Sequence, residues 1–132
     1  MKPKFRAWTE EGKVMYYDVY PFKDDALLLS YDEIAFDEVP ASDFILMQST
    51  GLKDKNGNEI FESDIVKFHD EYQSYTGVVT YMDTYASFVV MDKDGHEYTF
   101  EYIEAWYCLL SELEVIGNIY NNLIIYIFAS KC

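Results

Sequence analysis

Between residues 64 and 100 the chain carries four short runs rich in β-branched and aromatic residues, and their spacing limits the fold more than any other feature. The runs are Ile65-Val66 with Phe68, Thr76-Gly77-Val78-Val79-Thr80-Tyr81, Ser87-Phe88-Val89-Val90-Met91 and Tyr98-Thr99-Phe100. Such residues suit a pleated, half-buried surface. Met82-Asp83-Thr84-Tyr85 and the Asp94-Gly95 turn join the later runs tightly, which spells a meander. Short strands at close spacing favour a small barrel or a strongly bent sheet. The expectation for residues 51–122 is therefore an SH3-like small β-barrel.

Upstream, Phe5 and Ala7, then Met15, Tyr17 and Val19, alternate with polar neighbours on either side of Thr9-Glu10-Glu11-Gly12. This is the period-2 pattern of a hairpin, with strands near 3–8 and 13–20, the second closed by Pro21. The segment 23–43 holds seven acidic residues against one basic, interrupted by Ala26-Leu27-Leu28-Leu29. It reads as a short helix followed by loop or as a long acidic loop, a natural place for mobility or partner contact. Phe44 to Thr50 reads as a buried strand, and Asn56-Gly57 supplies two residues that tolerate positive φ in a turn. Tyr102, Ile103, Trp106, Leu109, Leu110 and Leu113 fall at helical spacing, so one or two helical turns are expected in 101–113. Glu114 to Tyr120 reads as a closing strand in which Gly117 permits a bend. The fold class is mainly β, a β-rich α+β chain with one or two short helices. An N-terminal β-hairpin region (1–50) precedes the barrel region, and an apolar tail (123–132) follows it.

With 132 residues the chain fits one domain, 1–132, and its 13 Tyr and 9 Phe place it far from disordered compositions. Its 24 acidic and 10 basic side chains give a net charge of −14, spread along the whole length. Such a field repels phosphate polymers and anionic membranes and favours basic partners, so direct nucleic-acid binding is not expected. Acidity also serves simply to keep an aromatic-rich surface soluble. Two cysteines, Cys108 and Cys132, give no disulfide framework, which fits a reducing cytoplasm. The basic start, Met1 to Arg6, leads into no long apolar segment, so a signal peptide is not expected. The most apolar run, Leu123 to Ala129, falls well short of the about 20 residues a membrane-spanning helix needs.

Three blocks carry a family resemblance: Lys4-Phe5-Arg6-Ala7-Trp8 with Met15-Tyr16-Tyr17, the central run from Gly51 to Lys67, and Glu114-Val115-Ile116-Gly117-Asn118-Ile119-Tyr120. In this order they resemble the YopX family of small β-rich proteins found in phages and prophages of low-GC Gram-positive bacteria. The resemblance covers about residues 2 to 122 and implies a phage or prophage origin and a bacterial cytoplasmic setting. It brings no biochemical activity with it. Two departures stand out. The family usually has glycine where this chain has Ser63, and its polar ending of Glu/Asn-Pro-Glu-Leu-Leu type is replaced by the apolar 123–132 tail, suited to packing on the core or pairing between chains.

The remaining motifs are weighed against plainer roles. Asp54-x-Asn56-x-Asn58 resembles a calcium loop, but the sixth and twelfth positions are Glu59 and Ile65, where an EF-hand needs Gly and Glu. A turn in which Asp and Asn side chains bond nearby N–H groups explains it better. Glu62 and Asp64 form a carboxylate pair of the kind used in acid/base or metal-assisted hydrolysis. No His, Lys or third carboxylate singles them out, and shaping the bend into the next strand is the preferred role. His69, His96 and Cys108 show no metal-ligand spacing, and no phosphate loop or nucleophile elbow is present. No catalytic, cofactor-binding or metal-binding residue is assigned. Trp8, Tyr16, Tyr17, Tyr72, Tyr75, Tyr81, Tyr85, Trp106 and Tyr107 exceed what a core of this size houses, and exposed aromatics anchor protein interfaces. The expected function is non-enzymatic: a protein-binding or self-associating phage accessory module. The alternatives are an acidic DNA mimic that blocks a host nucleic-acid enzyme and a metal-dependent hydrolase built on Glu62 and Asp64.

Overall fold

A computed structural model describes residues 4–30 and 34–121. The opening hairpin forms as its alternation requires: β1 (Phe5–Thr9) pairs antiparallel with β2 (Val14–Phe22). Pro21 does not close β2 but lies within it, opposite Leu27. The pairing with β1 ends at Val19, so beyond it one side of β2 is an edge, where a missing N–H is tolerated.

The expected acidic loop 23–43 is instead a second hairpin. Its strands are β3 (Ala26–Ser30) and β4 (Phe36–Pro40), in register from Ala26 opposite Pro40 to Ser30 opposite Phe36. Leu27 and Leu29 are buried, while Asp37 and Glu38 lie exposed on β4 at the sheet edge, where charge discourages pairing with another chain. Residues 31–33, between these strands, and the apolar tail 123–132 lie outside the described residues.

After a 3-10 turn at Ala41–Asp43, β5 (Ile45–Lys53) returns to pair with β1, and β6 (Glu59–Phe61) adds to its far side. The order β4-β3-β2-β1-β5-β6 fixes the sheet's shape. In a flat sheet β4 and β5 would lie about 19 Å apart at ~4.8 Å per strand. Five residue steps from Pro40 to Ile45 span at most about 17 Å even when extended, so the sheet must curl. Ala7, Val19, Leu27 and Leu29 fill the resulting core, with Tyr16, Val39, Ala41 and Phe44 packed against them. Strand β5 is only half-buried, because Met47 and Ser49 turn inward while Ile45 and Leu46 stay exposed.

The second sheet contains the predicted meander: β7 (Asp64–His69), β8 (Ser74–Met82), β9 (Ser87–Met91) and β10 (Glu97–Thr99). Thr99 caps α1 (Phe100–Trp106) by accepting a hydrogen bond from the Tyr102 N–H at 3.1 Å. A 3-10 turn at Leu110–Glu112 then leads into β11 (Glu114–Asn118), which pairs with β7 and slips register between Val115 and Gly117. The expected SH3-like barrel in 51–122 does not form. The order β10-β9-β8-β7-β11 leaves β10 and β11 on opposite edges. What closure would have covered is covered by α1, whose Phe100 and Ile103 join Ile60, Val66, Phe68, Val79, Val90 and Leu113 in the larger core. Among the described residues no helix is long and apolar enough to cross a membrane.

Candidate functional site

Two places concentrate polar or aromatic groups. The first is the junction between the sheets, where β6 turns into β7. Arg6 on β1 and Asp64 on β7 form an ion pair of 2.9 Å with both side chains only 3% exposed. The second Asp64 oxygen accepts the Phe61 N–H at 2.8 Å, Arg6 Nη2 also donates to the Glu62 carbonyl at 2.9 Å, and the guanidinium lies 4.8 Å from the centre of the Phe61 ring. Burial pushes the Asp64 carboxyl above the usual aspartate range despite the pull of Arg6 and the Phe61 N–H. Glu62 points elsewhere, accepting the Gln48 N–H on β5 at 2.7 Å. Ser63, between the two acids, has φ +71, donates its N–H to the Val79 carbonyl and accepts from Ile119 N–H through its own carbonyl. The bend thus stitches β5, β7, β8 and the end of β11 together. A cleft of about 500 Å³ opens beside it, lined by Arg6, Tyr17, Phe61, Asp64 and Asn118 among others.

Asp54 reinforces the same junction. Its oxygens accept the Asn56 and Asn58 N–H groups at 2.9 and 2.8 Å and, from β11, the Val115 N–H at 2.9 Å. Burial raises its carboxyl, but the bonds from Val115, Asn58 and Asn56 outweigh that and hold it below the usual range. The turn role expected for Asp54, Asn56 and Gly57 is present, as is the turn-amide role of Asp64. The partners Arg6 and Val115 lie far away in sequence and carry no local signal.

The second place is the rim formed by the β9–β10 turn and α1. Asp92 Oδ1 accepts the N–H groups of Asp94 and His96 at 3.0 and 2.9 Å, and Oδ2 meets His96 Nδ1 at 3.2 Å and the Tyr98 hydroxyl at 3.3 Å. Burial raises this carboxyl too, but the His96 and Asp94 hydrogen bonds win and hold it low. Asp92, Asp94 and His96 bring potential ligand atoms within 4.8 Å of one another, a grouping foreshadowed by the Asp-x-Asp-x-His spacing rather than by any pair of histidines. Asp92 is already committed to its own turn. Beside it lies a cleft of about 440 Å³ whose walls are mostly tyrosine. Burial lifts the Tyr98 hydroxyl to about 12, with the Asp92 charge adding to the shift.

The other residues singled out from the sequence scatter. His69 lies 3.6 Å from Glu112 at an exposed site, and Cys108 is buried, its thiol pushed up by burial. Trp8, counted among the surplus aromatics, is buried and stacks on Tyr120 at 5.7 Å, while Tyr16 packs edge-on against Phe44. Tyr17, Tyr72, Tyr81, Tyr85 and Trp106 are exposed. Tyr75 and Tyr107 are partly buried members of the larger core's aromatic cluster.

The family model of the YopX protein matches residues 4–123. The chain belongs to the YopX family. Two solved structures share its fold. Protein EF1440 from Enterococcus faecalis is 27% identical over 96% of this chain and 99% of that one, with a TM-score of 0.69. Protein yopX from Bacillus subtilis is 23% identical over 91% and 94%, with a TM-score of 0.59. No curated protein matches the sequence. Within this YopX fold Ser63 occupies a left-handed position that glycine adopts at no steric cost.

Proposed function

We propose that this YopX-family chain is a phage- or prophage-encoded accessory protein that acts in the bacterial cytoplasm without catalysing a reaction, by binding a basic protein partner or a second copy of itself. The observation that carries the reading is the exposed aromatic pair on α1, where Trp106 is 72% exposed and its ring lies 6.5 Å from that of Tyr102. Large exposed aromatics at one rim are what interface anchors look like. The net charge of −14 selects for basic faces and speeds their approach. The carboxylates that a hydrolase would need, Glu62 and Asp64, are instead engaged with Gln48, Phe61 and Arg6.

Light scattering combined with affinity capture from host lysate at low and high salt tests this, with Trp106→Ala as the comparison. The expected result is an oligomer or a retained partner for the wild type and its loss in the variant. A wild-type monomer that retains nothing even at low salt would overturn the reading. A retained nucleic-acid enzyme, released steeply by salt and unaffected by Trp106→Ala, would favour the DNA-mimic alternative instead.

A further inference from the structure

We propose that the cleft between the β9–β10 turn and α1 is an aromatic cage that receives the cationic side chain of a basic partner protein. This deepens the partner-binding reading and rests on it. The cage walls are the rings of Tyr85, Tyr98, Tyr102 and Tyr107, with Glu97 and His96 completing them around about 440 Å³. That volume lies in the range of about 300–1,000 Å³ usual for ligand clefts. No lysine or arginine is among the lining residues.

The walls are held in place from behind. Tyr98 and Tyr107 meet edge to face at 5.7 Å and 89°, Tyr102 lies 5.9 Å from Tyr107, and Phe68 supports both Tyr98 and Tyr107 at 5.3 and 5.2 Å. Tyr98 donates its hydroxyl proton to Asp92 at 3.3 Å, so this ring is tethered by a carboxylate. Rings presented at differing angles attract a cation through the negative potential of their faces, and several around one site compose an aromatic cage. Glu97 and Asp92 add negative charge at the rim, within a chain whose whole field draws cations. A neutral apolar guest would gain nothing from these carboxylates.

The surroundings favour a side chain on a protein over a free amine. Trp106 continues the aromatic surface past the cage, its ring 6.5 Å from Tyr102 and itself largely exposed. A free amine would leave this adjoining apolar area bare, whereas a polypeptide that inserts one cationic side chain covers it. The partner's lysine or arginine is then the anchor, and Trp106 contacts the backbone around it.

The test is an NMR titration of the full chain with three probes: Ac-Gly-Arg-Gly-NH2, the same peptide with neutral citrulline in place of arginine, and free choline. The expected result is saturable shifts confined to Tyr85, Tyr98, Tyr102 and Tyr107 with the arginine peptide, and binding of the citrulline peptide weaker by roughly tenfold or more. Tyr102→Ala, half-exposed and outside the buried core, should weaken the arginine peptide severalfold without changing the melting temperature. Equal binding of the two peptides, no saturable shift, or an unaffected Tyr102→Ala variant would overturn the cage, as would choline binding more tightly than the arginine peptide. If the peptide fails while the intact protein still captures a partner through Trp106, the cage is wrong and the partner-binding reading stands. If the peptide binds and no partner is captured, the reverse holds.

Discussion

Asp54-Lys55-Asn56-Gly57-Asn58 and Asp92-Lys93-Asp94-Gly95-His96 build the same turn in two places. In each, one oxygen of the aspartate accepts the N–H groups two and four residues on. The glycine sits at φ +84 or +85 and donates its N–H to the aspartate carbonyl, and the first and fifth residues are joined by a backbone hydrogen bond. The difference lies in the second oxygen. That of Asp54 reaches Val115 on β11, and the adjacent Lys55 N–H reaches the Leu113 carbonyl at 2.8 Å, so this turn fastens distant strands and Asp54 is 5% exposed. That of Asp92 stays within its own hairpin, on His96 and Tyr98, and the residue is only half-buried. One local code therefore serves as a tertiary tie at the sheet junction and as the mouth of a cleft at the rim. Where the hairpin lands decides which.

The largest expected effect tests that asymmetry directly. Asp54→Ala removes two turn N–H bonds and the longer one from the Asn58 side chain, and also leaves the Val115 N–H without its carboxylate partner, which should cost about 3 kcal/mol. Asp92→Ala loses only bonds inside one hairpin, at a site water reaches, and should cost about 1 kcal/mol. Urea denaturation of both variants measures the gap, and equal losses would break the comparison. Acid titration sharpens it. Both carboxyls sit below their ordinary range when folded, so each contributes stability that is complete above the unfolded-chain aspartate value of about 3.9 and is lost as pH falls through the lower folded value. Each alanine variant should thus lose stability less steeply than the wild type below about pH 3.9, and the two flattenings should add, since the turns share no partner. Asp64 has the opposite sign. Its raised folded value means its stability contribution falls as pH rises from the unfolded to the folded value.

The same contrast marks what the sequence discloses. Asn56-Gly57 and Asp94-Gly95 announce their turns because positive φ is a local requirement met by local residue types. The tie from Asp54 to Val115 spans 61 positions, and nothing near Asp54 encodes it. Arg6 and Asp64 are hidden from each other in the same way. Strands β7 to β9 were legible from β-branched runs, but whether they close is set by α1 and by β11 pairing with β7, which are tertiary facts. The β3–β4 hairpin was obscured because Ala26-Leu27-Leu28-Leu29 does not alternate and the acids of β4 sit on an exposed edge, which reads as loop. At the rim, counting aromatics pointed to surface binding but also drew in the buried Trp8, and it passed over Tyr98 and Tyr102, which only the fold brings beside Tyr85 and Tyr107.

Backbone substitutions probe the half of the comparison that should be equal. Gly57→Ala and Gly95→Ala each place a side chain at φ near +85, where an added Cβ meets nothing within 4 Å, so both pay the left-handed penalty alone. Each should cost about 1 kcal/mol, alike to within a few tenths, however different their aspartates prove. A markedly larger loss at Gly57 would show that the junction, not the turn, dictates its conformation. Ser63 offers the converse: at φ +71 it already bears this penalty, and Ser63→Gly should stabilise the chain by about 0.5 kcal/mol, the gain offset in part by the freer unfolded chain.

The smallest effect is expected where the two turns differ in sequence but not in backbone. His96→Asn gives the rim turn the last residue of the junction turn and keeps the N–H that bonds Asp92 Oδ1. What goes is the ring contact at 3.2 Å on a side chain 69% exposed, where solvent screening leaves little net energy. The change should stay within about 0.5 kcal/mol, read as a small shift in melting temperature. A loss approaching that of Asp54→Ala would mean that the imidazole does for the rim what Val115 does for the junction. The second oxygen of Asp92 would then be a structural tie in its own right, and the distinction between the two turns would rest on which partner is held rather than on whether one is.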